Sequence, residues 1–172
     1  MEKSMALFLA NHNLTKEYLH QIFDYKDGHL YWKVRTSNRI KIGEKAGTTA
    51  KRGNININHN GKLLKAHRII FMMHHGYFPE IIDHIDGNPL NNNIENLRPA
   101  TELQNHHNMA ISKRNTSGIK GICWSKDKNK WLARCNFDYK PHFVGYFDKI
   151  DHAQTAVEAY RSKLHGEFAR HK

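Results

Sequence analysis

The segment spanning residues 81–108, IIDHIDGNPLNNNIENLRPATELQNHHN, constrains this chain more than any other. Asp83 and His84 close a short apolar run, and an Asp86-Gly87 turn follows. The asparagines at 91–93 favour a loop, because a short carboxamide readily bonds its own backbone. Asn96 precedes a second short run, Leu97-Arg98-Pro99-Ala100. Thr101-Glu102-Leu103-Gln104 then has capping-box form, with Thr101 as N-cap and Gln104 answering it from the third helical position. This fixes a helix start and places Asn105 in the second turn. Asn105 and Asn108 share a face, with His106 and His107 between them. The segment therefore reads strand, loop, strand, helix. It gathers a carboxylate, an imidazole and two carboxamides around one small space. Such a set can hold a hard metal ion and activate a water beside it.

The chain has 172 residues, enough for one medium domain or two small ones, and 39% of them are hydrophobic. Mean hydropathy is −0.75, and no apolar run approaches the roughly 18 residues that cross a bilayer. The apolar patch at residues 5–10 is too short for a signal peptide, so a cytoplasmic location is expected. Net charge is +11, with +6 up to residue 115 and +5 after it. Both halves are basic, which favours a polyanionic partner contacted along much of the molecule and gives no reason to expect a membrane. The two cysteines, Cys123 and Cys135, form no C-x-x-C pair, so no zinc site is expected and a reducing compartment is.

Residues 1–12 read as a loose lead-in. Leu14, Tyr18, Leu19, Ile22 and Phe23 fall at helical spacing, which predicts a short amphipathic helix over 15–23. Asp27-Gly28 is a turn signal before a strand over 30–34. Residues 54–58 alternate strictly, Asn60-Gly61 makes a hairpin turn, and 62–66 return. Lys41, Lys45, Lys51 and Arg52 sit in loops from which they could touch phosphates. HRIIFMMHH, at 67–75, reads as a buried helix stopped by Gly76, with His67, His74 and His75 as structural or surface residues. Residues 110–118 turn polar and basic and read as a linker. Beyond it, strands are expected at 119–125, 130–137 and 142–147, then a helix marked by Ala153, Ala156, Val157, Tyr160 and Leu164 and ended by Gly166.

His67-Arg68, the 76–79 turn, Asp83-His84-Ile85-Asp86-Gly87-Asn88, Asn93-Ile94-Glu95-Asn96-Leu97-Arg98 and Asn105 together resemble the HNH endonuclease family, in its phage and intron-encoded homing branch. The resemblance implies a ββα-metal fold that cleaves phosphodiester bonds. It makes His84 the general base, a role suited to imidazole as a side-chain type, whose unperturbed pKa is about 6.5. It makes Asp83 and Asn105 the metal ligands, with His106 or Asn108 as an extra candidate, and Asn96 the loop residue that aims His84. Two oxygen ligands suit Mg²⁺, with Mn²⁺ as a second candidate. Arg98 is a candidate phosphate clamp. The implied products carry 3′-hydroxyl and 5′-phosphate ends. A single site cuts one strand, so a monomer would nick, and a double-strand break would need a weak dimer or a second event.

Ser117-Gly118, Lys120-Gly121-Ile122, Trp124, Lys130-Trp131, Ala133-Arg134, Gly145-Tyr146-Phe147-Asp148, Ala153, Ala156, Ala159-Tyr160 and residues 165–169 resemble the AP-two type DNA-binding domain of ethylene-response factors. That family lays a three-stranded sheet in the major groove with a helix behind it. Period-two alternation puts Trp131, Ala133 and Cys135 toward the helix, and Lys130, Leu132, Arg134 and Asn136 toward DNA. Arg134 is the leading candidate for a base contact. Lys120, Ser125, Lys126, Lys140 and His142 are candidates for phosphate, as are Lys113 and Arg114 in the linker. Trp124, Trp131, Phe143, Tyr146 and Phe147 are expected mostly in the core.

The expected fold class is α+β. A nuclease domain spans 1–112, with its ββα-metal core at about 67–110. A linker follows at 113–118, then a sheet-and-helix DNA-binding domain at 119–172. The expected function is metal-dependent hydrolysis of double-stranded DNA. The alternative is a non-catalytic, sequence-specific DNA-binding regulator.

Overall fold

The structure, a computed structural model, describes residues 14–51 and 53–171. The expected lead-in and Arg52 lie outside them. The chain is mixed α and β, and divides into two compact units between Ala100 and Thr101.

In the first unit, Thr15 caps helix α1 (Lys16–Ile22) by accepting from the Tyr18 amide at 3.2 Å. The helix ends one residue earlier than its spacing predicts. Phe23 instead opens strand β1 (Phe23–Lys26), which pairs antiparallel with β2 (His29–Trp32). Asp27 and Gly28 join the two with φ of 47° and 75°, the left-handed pair that suits a two-residue hairpin. Strands β3 (Thr48–Thr49), β4 (Ile55–His59) and β5 (Lys62–Lys65) form a second small sheet, with the Asn60-Gly61 turn where the sequence puts it.

Helix α2 (Ala66–His75) follows at once and ends on Gly76, whose φ of 77° lets its amide reach the Met72 carbonyl at 2.8 Å. The helix is buried along most of its length. Ile69, Ile70, Phe71 and Met73 join Leu19, Ile22, Phe23, Leu30, Trp32, Ile57 and Leu64 in one core. Strands β6 (Ile81–His84) and β7 (Leu97–Ala100) make an antiparallel hairpin rooted in that core by Ile82 and Leu97.

The second unit opens with helix α3 (Glu102–His107), whose capping box is complete. Its three-stranded antiparallel sheet runs β8 (Ile122–Ser125), β9 (Lys130–Phe137), β10 (Lys140–Phe147), with β9 in the middle. Helix α4 (Ile150–His165) packs Ala153 and Val157 onto Ile122, Ala133 and Cys135. A 3₁₀ turn (Gly166–Phe168) follows and meets α3.

Residues 115–118, expected in a linker, are built into this unit. The Asn115 amide group donates to the Ile119 carbonyl at 2.9 Å, and the Ser117 hydroxyl to the Ile122 carbonyl at 2.7 Å. A polar, Ser-Gly stretch resembles a linker in composition, but here its side chains serve as the local partners of the first strand. Among the described residues no helix is long and apolar enough to cross a membrane.

Candidate active site

The loop between β6 and β7, residues 85–96, is closed by its own carboxamides. Asn96 accepts from the Asp86 amide at 3.0 Å and donates to Asp86 Oδ1 at 2.9 Å and the Asn91 carbonyl at 2.7 Å. Asp86 Oδ1 also accepts from the Asn88 amide at 2.8 Å, and Oδ2 from Asn91 Nδ2 at 2.8 Å. Burial works to raise the Asp86 carboxyl, but the Asn88 amide and the Asn91 and Asn96 carboxamides outweigh it and hold the group below its ordinary range. This carboxylate is a loop fastener with its oxygens already engaged.

Asp83 and His84 end β6, and both are buried. Neighbours on an extended strand alternate in direction, and their partners differ accordingly. The register sets Asp83 opposite Arg98 and His84 opposite Leu97. Arg98 Nε and Nη2 both reach Asp83 Oδ2, at 2.9 and 2.8 Å, with the guanidinium side chain only 12% exposed. The arginine expected as a phosphate clamp is therefore the counter-charge of the expected metal-binding carboxylate. His84 Nε2 lies 2.9 Å from Oδ1 of Asn92, a residue the sequence shows only as one asparagine among several. The His67 ring stands edge-on to the His84 ring at 5.1 Å. Burial, then the neighbouring His84, Lys65 and Arg68, push His67 down to about 3, so it stays neutral. Arg68 ties α2 to the start of this hairpin by donating to the Pro79 and Glu80 carbonyls at 3.0 and 3.2 Å.

Asn105 is exposed on α3, in the second unit, with its amide bonded to the Thr101 carbonyl at 2.9 Å. His106 is exposed, and Asn108 is buried as the C-cap of α3. Among the described residues no group of three or more His, Cys, Asp or Glu side chains is placed to hold a metal. Asp83 offers a carboxylate in the first unit and Asn105 a carboxamide oxygen in the second, and oxygen donors of this kind suit a hard divalent cation. That chemistry fits Mg²⁺ or Mn²⁺, with water and phosphate completing the sphere.

In the second unit, Ala133 and Cys135 are buried against α4 while Arg134 and Asn136 are exposed, as alternation predicts. Lys113, Arg114, Lys126 and Lys140 are exposed and Ser125 is half-buried. Lys130 pairs with Asp148 at 3.2 Å. Lys120 turns inward. Its ammonium donates to the His107 and Met109 carbonyls at 3.1 and 2.7 Å, and burial beside Arg161 and Arg170 pushes it down to about 8. His142 pairs across from Cys135 and so lies on the helix side.

The expectation that the aromatics are mostly core is corrected at three positions: Phe143, Tyr146 and Trp124 are 62%, 41% and 43% exposed. Phe143 lies opposite Arg134 and Tyr146 opposite Leu132, on the open face. A two-residue turn and a bulge between Phe143 and Gly145 bring them there. A cavity of about 460 Å³ lies in this unit, lined in part by Lys120, Arg134, Cys135, Arg161 and His165, and includes none of Asp83, His84 and Asn96.

A family model described as HNH endonuclease matches residues 64–107, from β5 through the hairpin to the end of α3. Protein 3.8 of Escherichia phage T7 is 43% identical over 97 residues, 55% of this chain and 75% of its own length. The chain belongs to the HNH endonuclease family. A protein of Acanthamoeba polyphaga mimivirus named "Uncharacterized HNH endonuclease L560" is 31% identical over 109 residues, 62% of this chain and 56% of its own. No solved structure gives a significant match. The HNH match contains Asp83, His84, Asn92, Asn96, Arg98 and Asn105.

Proposed function

We propose that this HNH protein is a metal-dependent endonuclease of the homing type that hydrolyses phosphodiester bonds in double-stranded DNA. The observation that carries the reading is the buried Asp83–His84 pair at the end of β6, inside the matched segment and braced by Arg98 and Asn92. His84 takes the proton of the attacking water, and Asn96 keeps the loop closed so that the imidazole holds its aim. Asp83 and Asn105 would hold a divalent cation, Mg²⁺ before Mn²⁺, as the ligands that a ββα-metal fold calls for. When bound, that cation supplies Lewis-acid polarisation of the scissile phosphate. Arg98 orients the Asp83 carboxylate. The products carry 3′-hydroxyl and 5′-phosphate ends, and a monomer nicks.

The second unit, in this reading, is an AP-two-like module lying against the duplex. Its open face carries Arg134 and Asn136, and the net charge of +5 after residue 115 supports a phosphate-rich partner. Lys113, Arg114, Lys126 and Lys140 add exposed charge for the backbone, and Ser125 on the edge strand β8 pairs across from Lys130 on β9.

The second reading is a non-catalytic DNA-binding regulator. The Arg98–Asp83 pair favours it, because one oxygen of the carboxylate is already taken. Incubating supercoiled plasmid with the protein in Mg²⁺ and in EDTA, then mapping the ends, separates the two. The nuclease reading expects open circles with 3′-hydroxyl and 5′-phosphate ends only in Mg²⁺. Binding without strand breaks in either buffer supports the regulator.

A further inference from the structure

His84 is the last residue of a strand, just before a long loop, a place where a ring needs a partner to hold one orientation. Asn92 supplies it. Its Oδ1 lies 2.9 Å from His84 Nε2, and its side chain is 1% exposed although residues 85–88 and Leu90 are exposed. With Oδ1 turned to the ring, a carboxamide oxygen can only accept, which puts the proton on Nε2 and the ring's lone pair on Nδ1. The arrangement has a cost. Asn92 Nδ2 is buried without a hydrogen-bond partner, and leaving such a donor unsatisfied costs about 1–3 kcal/mol. An apolar side chain would fill the same space without that penalty.

The backbone that carries Asn92 is set from far away in sequence. Tyr25 Oη, on β1, accepts from the Ile94 amide at 3.1 Å. Gly28, in the β1–β2 turn, packs so closely that a Cβ there would lie 2.8 Å from the Asn93 nitrogen and 3.0 Å from the Asn92 carbonyl carbon. Its φ of 75° also disfavours a side chain. The first hairpin is thus pressed onto the two residues that aim the carboxamide. On its other side, the His84 ring meets the edge of His67.

We propose that Asn92 is the positioning residue of His84, that it fixes the Nε2–H tautomer, and that the β1–β2 turn holds it in place. The proposal rests on the reading of His84 as the base. In that step the water oxygen bonds to phosphorus, its proton passes to His84 Nδ1, and the bond from phosphorus to the 3′ oxygen breaks. The 3′ oxygen takes a proton from solvent, and the imidazolium returns its own.

The test compares the full-length wild type with Asn92→Leu and Asn92→Asp. The readouts are ¹⁵N NMR of the His84 ring, assigned by its loss in His84→Ala, together with kcat and KM for plasmid nicking and the thermal midpoint. Wild type and Asn92→Asp, which both offer an oxygen acceptor, should show the Nε2–H pattern. Asn92→Leu should lose that preference and drop in kcat by about ten- to a hundred-fold with KM nearly unchanged, the scale typical of removing the orienting partner of a functional histidine. An Nδ1–H pattern in the wild type overturns the proposal, even if Asn92→Leu does not fold. So does a folded Asn92→Leu with the wild-type kcat. If His84→Ala still nicks, the base assignment fails, and the NMR comparison still decides whether Asn92 sets the ring.

Discussion

At the scale of single residues, the decisive feature is a buried carboxylate paired with an arginine across the hairpin. Asp83 and Arg98 face each other across β6 and β7 with two nitrogens on one oxygen. Breaking such a pair on one side leaves an uncompensated charge, which costs about 3–5 kcal/mol. Arg98→Ala should therefore lower the urea midpoint of the Mg²⁺-free protein sharply. If a cation binds at Asp83, Mg²⁺ should restore more stability to Arg98→Ala than to the wild type. Equal responses in the two proteins would show that the cation does not reach this carboxylate. The pairing was not legible in the sequence, because cross-strand register depends on how the loop 85–96 closes. The Asp83–His84 dyad was legible only through its context, Asn96 at its interval and the capped helix that follows. Asn92 was hidden by its neighbours: Asn91, Asn92 and Asn93 look alike in sequence, and only burial distinguishes the middle one.

At the scale of elements, turn chemistry decides what a reader of the sequence can recover. The β4–β5 hairpin, α2 with its Gly76 stop, the α3 capping box and the β9 strand all announce themselves through residues with a local job. Strand β1 did not, because Phe23 and Ile22 sit at helical spacing while the real signal, the Asp27-Gly28 turn, asks for a strand on both sides. The open face of the C-terminal sheet was half legible. Any even-length turn after β9 puts Phe143 on the face of Arg134. Tyr146 joins it only because a bulge adds one residue between them, and no pattern in the sequence marks that bulge except Gly145. The β9–β10 turn itself is strained. Asp138 and Tyr139 hold φ of 51° and 59°, and a left-handed conformation costs an ordinary side chain about 1–2 kcal/mol. Tyr139→Gly should raise stability by about 1 kcal/mol, read as a higher midpoint in thermal or urea unfolding. A lower midpoint would mean that the exposed Tyr139 ring, 5.7 Å from His106, contributes more than the backbone loses.

At the scale of the whole molecule, buried histidines and surface cations set two pH and salt responses. Burial pushes His67 down to about 3 and His165 to about 4, where the Asn136 carbonyl partly offsets burial and His107, Lys120 and Arg161 reinforce it. His107 and His59 are lowered as well, chiefly by burial. In each case the unfolded chain binds a proton at a higher pH than the folded one. Their contribution to stability is therefore complete above the unfolded value, about 6.5, and falls as pH drops toward 4 and then 3. Urea midpoints should decline steadily from pH 7 to pH 4. A flat profile would mean that these rings are hydrated in solution.

A net charge of +11 makes the second response one of salt. DNA affinity should fall linearly with salt on logarithmic axes and lose orders of magnitude between 50 and 200 mM, as expected for about six or more neutralised phosphates. A shallow slope would confine contact to a few side chains. The central claim, that one imidazole on β6 drives strand scission, is tested most directly by single-turnover cleavage of supercoiled plasmid by wild type and His84→Ala, with DNA affinity measured on the same preparations. The account predicts that the substitution slows nicking by about 100-fold or more, the scale of a lost general base, while affinity stays within about two-fold. Nicking by His84→Ala at the wild-type rate would contradict it.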